Sequence, residues 1–287
     1  MTAQNSEQQG SRSKEIVVVG HKPFTVPKDS MYLGMQVGYG EDIPSLKRDN
    51  TGDNIAYKND SYCELTAQYW LWKNSDASIK GLVHYRRILG TPGSRAIPFE
   101  SIDKRRGKAL SSDDVDQLLS QYDIILPKAH DYITETALQH YERAHVSGEG
   151  FEIIRQYLKE NYPEYVDAFE YVLNAKKTHL LNILITNSKL FDRYSEWLFD
   201  VLREVEDKLD ISKYSPTEKR VFGYLSELLL DVWIRTNHFS YIEVPVLFLQ
   251  RQNLPKRYFF SALKKMGFIN PARDERKGMM VTSDKHE

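Results

Sequence analysis

A single cysteine, Cys63, in 287 residues leaves no means of building a disulfide framework or a cysteine-rich metal site within one chain. A reducing cytoplasm is the expected setting. No apolar run approaches the roughly 20 residues that a membrane span needs. The opening MTAQNSEQQGSRS also lacks the apolar stretch of a secretion signal and reads as a disordered leader over residues 1–14. Neither sign of charge is in excess: the formal net charge is -1, which gives no general attraction to polyanions and argues against nucleic acid as a partner.

Several catalytic signatures are missing as well. There is no GxxxxGK[ST] loop, and VGYGEDIP has two glycines without the adjoining strand and helix of a dinucleotide fold. Kinase and dehydrogenase readings lose support. No G-x-S-x-G elbow occurs, and Cys63 lies in an apolar helical pattern with no catalytic signature around it. His140 and His145 are five apart rather than four, and Glu142 completes no metalloprotease motif. The sole D-x-D, Asp114-Val115-Asp116, falls at a helix start, where acidic residues favour the helix dipole, so capping explains it better than metal binding.

What is present is an α/β pattern followed by a mainly helical C-terminal half. EIVVVG (15–20) reads as a central parallel strand, IKGLVHY (79–85) as a second and YDIILP (122–127) as a third, ended by a proline that cannot donate to the ladder. Residues 22–58 read as loop. Ser61 and Glu64 have capping-box spacing before a helix with Tyr62, Leu65, Tyr69 and Trp72 on one face, and Ser111 or Ser112 starts a short helix. Later, Leu190, Tyr194, Trp197, Val201 and Val205 mark one core-facing helix. Ser215 and Pro216 begin another, carrying Val221, Leu225, Leu228 and Val232. HLLNILIT (179–186) and YIEVPVLFL (241–249) read as strands returning to the sheet.

Ligands gather at the carboxyl ends of parallel strands, and there the sequence GLVHYRRILG places His84, Tyr85, Arg86 and Arg87. Two guanidinium groups at such an edge suit a diphosphate, with an internal ion pair as the competing account. His84 by itself reads as a hydrogen-bonded histidine near the core. Two carboxylates stand out. Glu227 is the one acid in the apolar run GYLSELLL, where burial would raise its pKa and suit it to act as a base. Glu149 follows Gly148 in a loop leading into a helix.

The segments KNDSYCELTAQYWLWKN, GLVHYRRIL, YDIILPK, NYPEY, NILITNSKLFDRYSEWLFDVL and RVFGYLSELLLDVWI, in that order, resemble the bacterial capsular and exopolysaccharide glycosyltransferase family that includes galactofuranosyltransferases. The likeness runs from about Ile16 to Asn237. It implies a GT-A-like nucleotide-sugar-binding domain over 15–250 and transfer from a UDP-sugar, galactofuranose among the candidates, to a glycan or lipid-linked glycan. In that frame Asp53, Asn59 and Glu64 line the nucleotide pocket with His84, Arg86 and Arg87, and His145 and Asn182 meet the acceptor. Where the family has N-M-F and E-R-L, this chain has Asn182-Ile183-Leu184 and Glu227-Leu228-Leu229. The strand ending at His84 to Arg87 stands where many GT-A enzymes keep a metal-binding D-x-D, so no tightly bound cofactor is expected, and Mn or Mg is not favoured.

The expectation is therefore a cytoplasmic glycosyltransferase with Glu227 or Glu149 as base. The rival is a non-catalytic adaptor. Residues 251–277 hold eight Lys/Arg against two Asp/Glu, a basic C-terminal tail (251–287) suited to peripheral contact with an anionic membrane face.

Overall fold

The structure, a computed structural model, describes residues 13–250 except 96, 98–99 and 146–147. Apart from Ser13 and Lys14, the expected leader lies outside the described residues, as does the whole basic tail. No helix among them is long and apolar enough to cross a membrane.

The β-branched run of the first strand sets the architecture. In β1 (Lys14–Gly20), Ile16 and Val18 face one core, while Val17 and Val19 face another. That period-two alternation, apolar on both sides, makes a strand with helices or loops covering each face. Residues 22–58, expected as loop, contribute two more strands, β2 (Tyr32–Gln36) and β3 (Lys47–Arg48). A short helix α1 (Asn59–Tyr62) and α2 (Leu65–Asn74) lead to β4 (Ile79–His84), which turns back as β5 (Arg87–Leu89). Helices α3 (Ile102–Arg106) and α4 (Ser112–Leu119) precede β6 (Ile124–Pro127). The capping expected at Ser111 forms: Ser111 and Asp114 cap α4 reciprocally, and Asp116 pairs with Lys14 at 2.7 Å, so the D-x-D is structural.

Next come β7 (His130–Asp131), α5 (Ala137–Ala144), α6 (Glu149–Asn161), α7 (Val166–Leu173), β8 (Lys177–Thr178) and β9 (Leu184–Asn187). The long α8 (Ser188–Lys208) and α9 (Val221–Thr236) bury the two stripes read from sequence. Ser215 does accept from the Glu218 N–H, but a 3-10 turn intervenes and α9 starts only at Val221. The expected final strand is split at Pro245 into β10 (Tyr241–Val244) and β11 (Val246–Phe248), which pair with different neighbours.

The main sheet runs β10-β6-β9-β4-β1-β2-β3, with β5 and β11 paired beside it. It is mixed rather than fully parallel, because β9 lies antiparallel to both β4 and β6. The strand expected over 179–186 begins only at Leu184, and the residues before it form a turn. Six of the seven strands on this path thus point the same way, and the carboxyl ends of β1, β2 and β4 share one edge.

Gly81 lies at the centre of this packing. A Cβ there would come within 2.7 Å of Ile185 Cγ1 and 2.9 Å of both Ile16 Cδ1 and the Leu184 carbonyl. Backbone cannot yield as a side-chain tip does. Gly81→Val is expected to destabilise by about 1–3 kcal/mol and lower Tm by roughly 5 °C; thermal denaturation matching wild type would show that the strand spacing is not fixed here.

Candidate active site

At the carboxyl edge, β4 ends at His84, and Tyr85 and Arg86 reverse the chain so that Arg87 lies opposite His84. Arg86 therefore sits at the hairpin tip, and Arg87 opens the returning strand β5. The Tyr85 N–H donates to the Val19 carbonyl at 3.0 Å, tying the tip to the end of β1, and the Arg86 guanidinium lies 4.8 Å from the centre of the Tyr85 ring. His21, just past β1, packs edge-on against Tyr85; burial and then Arg86 hold its imidazole below the usual range.

A helix break brings the first carboxylate. Cys63 has φ of 52°, in the left-handed half of backbone space, and separates α1 from α2. The capping box expected from Ser61 and Glu64 is not formed: Ser61 Oγ donates to the Lys58 carbonyl, and Glu64 turns inward. Asn59 Nδ2 closes the break by donating to the Cys63 carbonyl at 2.7 Å, and Gly223 of α9 packs so closely that a Cβ would meet Cys63 at 3.2 Å. Asn59 is a brace for the site, its Nδ2 shared between the Cys63 carbonyl and Thr66 Oγ1.

The second carboxylate is held by the turn before β9. Leu181 and Asn182 both have positive φ, 80° and 51°. The Leu181 N–H donates to Glu227 Oε1 at 3.0 Å, and its carbonyl accepts from His84 Nε2 at 2.7 Å. That acceptor assigns the His84 proton to Nε2. Burial keeps His84 below its ordinary pKa, so it is neutral, with Glu64 Oε1 3.8 Å away. The Asn182 carboxamide is consumed: Nδ2 donates to Glu64 Oε1 at 2.8 Å and to the Gly223 carbonyl at 3.0 Å, and Oδ1 accepts from Ser226. Asn182, expected to meet an acceptor, is buried and positions Glu64 instead.

Glu227 carries the electrostatic signature. Burial first, and the charge of Glu64 second, push its carboxyl up to about 7, against the pull of the Leu181 N–H, Arg87 and Arg220. Arg220 joins the site from the residue before α9. Its Nε donates to Cys63 Sγ at 3.2 Å and its guanidinium lies 5.2 Å from the Tyr224 ring centre. The Cys63 thiol is raised to about 11 by burial, then by Glu64, so it is a neutral acceptor. Among the described residues, none of Arg86, Arg87 and Arg220 forms a salt bridge with Asp or Glu. The internal ion pair that competed with an anion site is therefore not formed by the arginine pair.

His145 is brought to the rim, stacked on Tyr224 at 4.0 Å and lowered to about 4, chiefly by burial. Glu149 is not in a loop: it is the exposed first residue of α6. Asp53 is outside the site. Its backbone N–H donates to Asn74 Oδ1 at 3.0 Å, at the far end of α2 from Glu64, and ten helical residues span about 15 Å. Among the described residues, no three His, Cys, Asp or Glu side chains are grouped to hold a metal ion.

Arg220 and His21 escaped the sequence reading. A signal existed for Arg220: with Tyr224 and Glu227 it falls at i, i+4 and i+7, a polar stripe on an otherwise apolar helix. His21 had only its place after β1.

Comparison with known proteins fits this geometry. The model of a family described as a domain of unknown function (DUF4422) matches residues 15–238. The chain is similar to the apo structure of WbbM, a bifunctional glycosyltransferase, with TM-score 0.76 and 28% identity over 83% of this chain and 46% of that one. The chain thus spans about half the length of that protein. The likeness shows the GT-A-like α/β fold that the sequence led us to expect. No curated protein matches the chain.

The raised carboxyl of Glu227 has a consequence for stability. Its folded-state pKa of about 7 exceeds the ordinary value of 4.5, so its contribution is fully present below the latter and is lost as pH rises through the former. Glu227→Gln, which removes the buried charge, is expected to raise Tm by a few degrees at pH 8 and leave it nearly unchanged at pH 4.5. A calorimetric Tm that falls at pH 8 would contradict this.

Proposed function

We propose a function from one premise: the chain belongs to the family described as a domain of unknown function (DUF4422), matched over residues 15–238. On our reading it is a glycosyltransferase that moves a glycosyl group from a nucleotide-diphosphate sugar to a glycan hydroxyl. One observation carries this reading: the buried carboxyl of Glu227, raised to about 7, lies within the electrostatic reach of Arg87 and Arg220, which form no salt bridge among the described residues, at the ligand edge of a glycosyltransferase-like fold. UDP as the nucleotide and galactofuranose as the first sugar to test come from the family that the sequence resembles. The cytoplasmic setting, and contact with lipid-linked acceptors through residues 251–277, belong to the same proposal.

The chemistry is a single displacement. The acceptor oxygen bonds to the anomeric carbon as that carbon's bond to the β-phosphate oxygen breaks. The hydroxyl proton passes to Glu227, and the bonding pair leaves with the diphosphate, whose charge Arg86, Arg87 and Arg220 neutralise. Attack opposite the leaving group inverts the anomeric centre. Asn182 holds Glu64 beside Glu227; the Glu64 charge keeps the base weakly acidic and ready to take a proton near neutrality. Neutral His84 fixes the turn that carries the Leu181 N–H.

Incubation with a panel of UDP-sugars, including UDP-galactofuranose, is expected to give acceptor-dependent UDP release. The kcat/KM should rise with pH to a plateau, with a midpoint of about 7 set by Glu227. Glu227→Gln is expected to lose on the order of 100-fold or more in turnover and to abolish that limb. Wild-type turnover in this variant would remove Glu227 from the chemistry.

The leaving-group assignment has its own check. Arg87→Ala and Arg220→Ala are each expected to weaken UDP binding by about tenfold, because charge-assisted bonds to phosphate are among the stronger polar contacts. Turnover is expected to persist in EDTA. Unchanged UDP affinity by calorimetry in both variants, or loss of activity to EDTA with rescue by manganese, would contradict the arginine account.

A further inference from the structure

A groove of about 670 Å³ opens where α2, α8 and the turn Pro163–Tyr165 meet. Its size lies within the roughly 300–1,000 Å³ of ordinary ligand sites. It contains none of Glu64, His84, Arg86, Arg87, Arg220 or Glu227, and touches their surroundings only through Tyr62, the residue before the Cys63 break.

Two features of its wall restrict what it can hold. The first is an aromatic cluster: Trp72 and Phe199 are parallel within 3° at 5.9 Å, and Tyr69 meets Phe199 edge-on at 5.1 Å. All three rings are partly exposed. Core packing does not call for three incompletely covered rings side by side; Lys73 Nζ lies 3.4 Å from the centre of the Trp72 ring, and the ring surface left open supplies a rigid apolar platform. The second is charge balance. Four basic and four acidic side chains line the groove, so it carries no net charge. Several are already paired, Lys58 with Glu206 at 2.6 Å and Arg203 with Asp200, while Glu196 and Arg193 stand exposed on the wall.

A polyanion gains nothing from a balanced wall, and an apolar chain would take the exposed charges of Glu196 and Arg193 out of water. A neutral sugar ring presents apolar C–H faces and a rim of hydroxyls that both donate and accept. We propose that this groove binds a neutral saccharide chain, at a site separate from the transfer chemistry.

Binding is the test, so its failure is distinct from a failure of the transferase reading. The full chain would be titrated with neutral tetra- to hexasaccharides of galactose, glucose and mannose, with a heparin-derived hexasaccharide as the charged control. Tryptophan fluorescence and saturation-transfer NMR would follow binding. At least one neutral oligosaccharide is expected to bind saturably and more tightly than the heparin fragment. Trp72→Ala should weaken it by roughly tenfold, the scale of truncating an aromatic anchor. Glu196→Ala, at an exposed helical position where alanine favours the helix, should weaken it as well without a folding penalty. Glu227→Gln should bind as wild type. The proposal is overturned if no neutral oligosaccharide binds, if binding survives both groove substitutions, if the heparin fragment binds more tightly, or if the groove proves to mediate self-association that Trp72→Ala abolishes.

Discussion

The turn at Leu181 and Asn182 is the constraint on which the site depends. Two consecutive non-glycine residues at positive φ are costly, of order 1–3 kcal/mol each, and persist only where surrounding contacts over-determine them. Here the contacts are plain. The Leu181 amide holds Glu227, its carbonyl holds His84, and the Asn182 side chain joins Glu64 to Gly223 and Ser226. Two residues upstream, His179 is clamped between Asp231 and Glu243. One reversal of the chain therefore binds the end of β4, the start of α2 and the inner face of α9 into a single unit, and brings two carboxylates from distant sequence to one place.

That arrangement opposes stability in a way that suits proton transfer. Leucine at position 227 would continue the apolar run of α9. Instead a carboxyl is kept where burial and Glu64 disfavour its charge, while one backbone amide and two arginines limit the penalty. Among the described residues no carboxylate forms a salt bridge with Arg86, Arg87 or Arg220, which is the basis for proposing an anion there. A bound diphosphate would complete the arrangement that the chain leaves open.

The sequence made the frame legible because the frame is written in apolar periodicity. EIVVVG, YDIILP and the stripes of α8 and α9 bury as their spacing requires. Glu227 was visible as the wrong residue type in an apolar helix, and Arg86 and Arg87 as charges at a strand end. What the sequence hid depends on tertiary contact. The helical pattern passes unbroken through Cys63, and only the close approach of Gly223 gives a reason for the break. HLLNILIT has strand composition throughout, yet its first half is pulled into a turn by hydrogen bonds to α9 and His84. Pro245 splits one apolar run between two neighbours, and pairing direction, as for β9, is not encoded in burial pattern. Asp53 looked suited to a nucleotide and lies at the wrong end of α2.

The central claim is that Glu227 titrates near neutrality because it faces an anion-binding site. Carbon-13 NMR of the glutamate side-chain carboxyls, with Glu227→Gln assigning the signal, measures this directly in the absence and presence of UDP. The account predicts a midpoint of about 7 in the free protein and a further rise when UDP adds negative charge beside the carboxyl and engages the arginines. A midpoint in the ordinary carboxylate range that does not respond to UDP would contradict it.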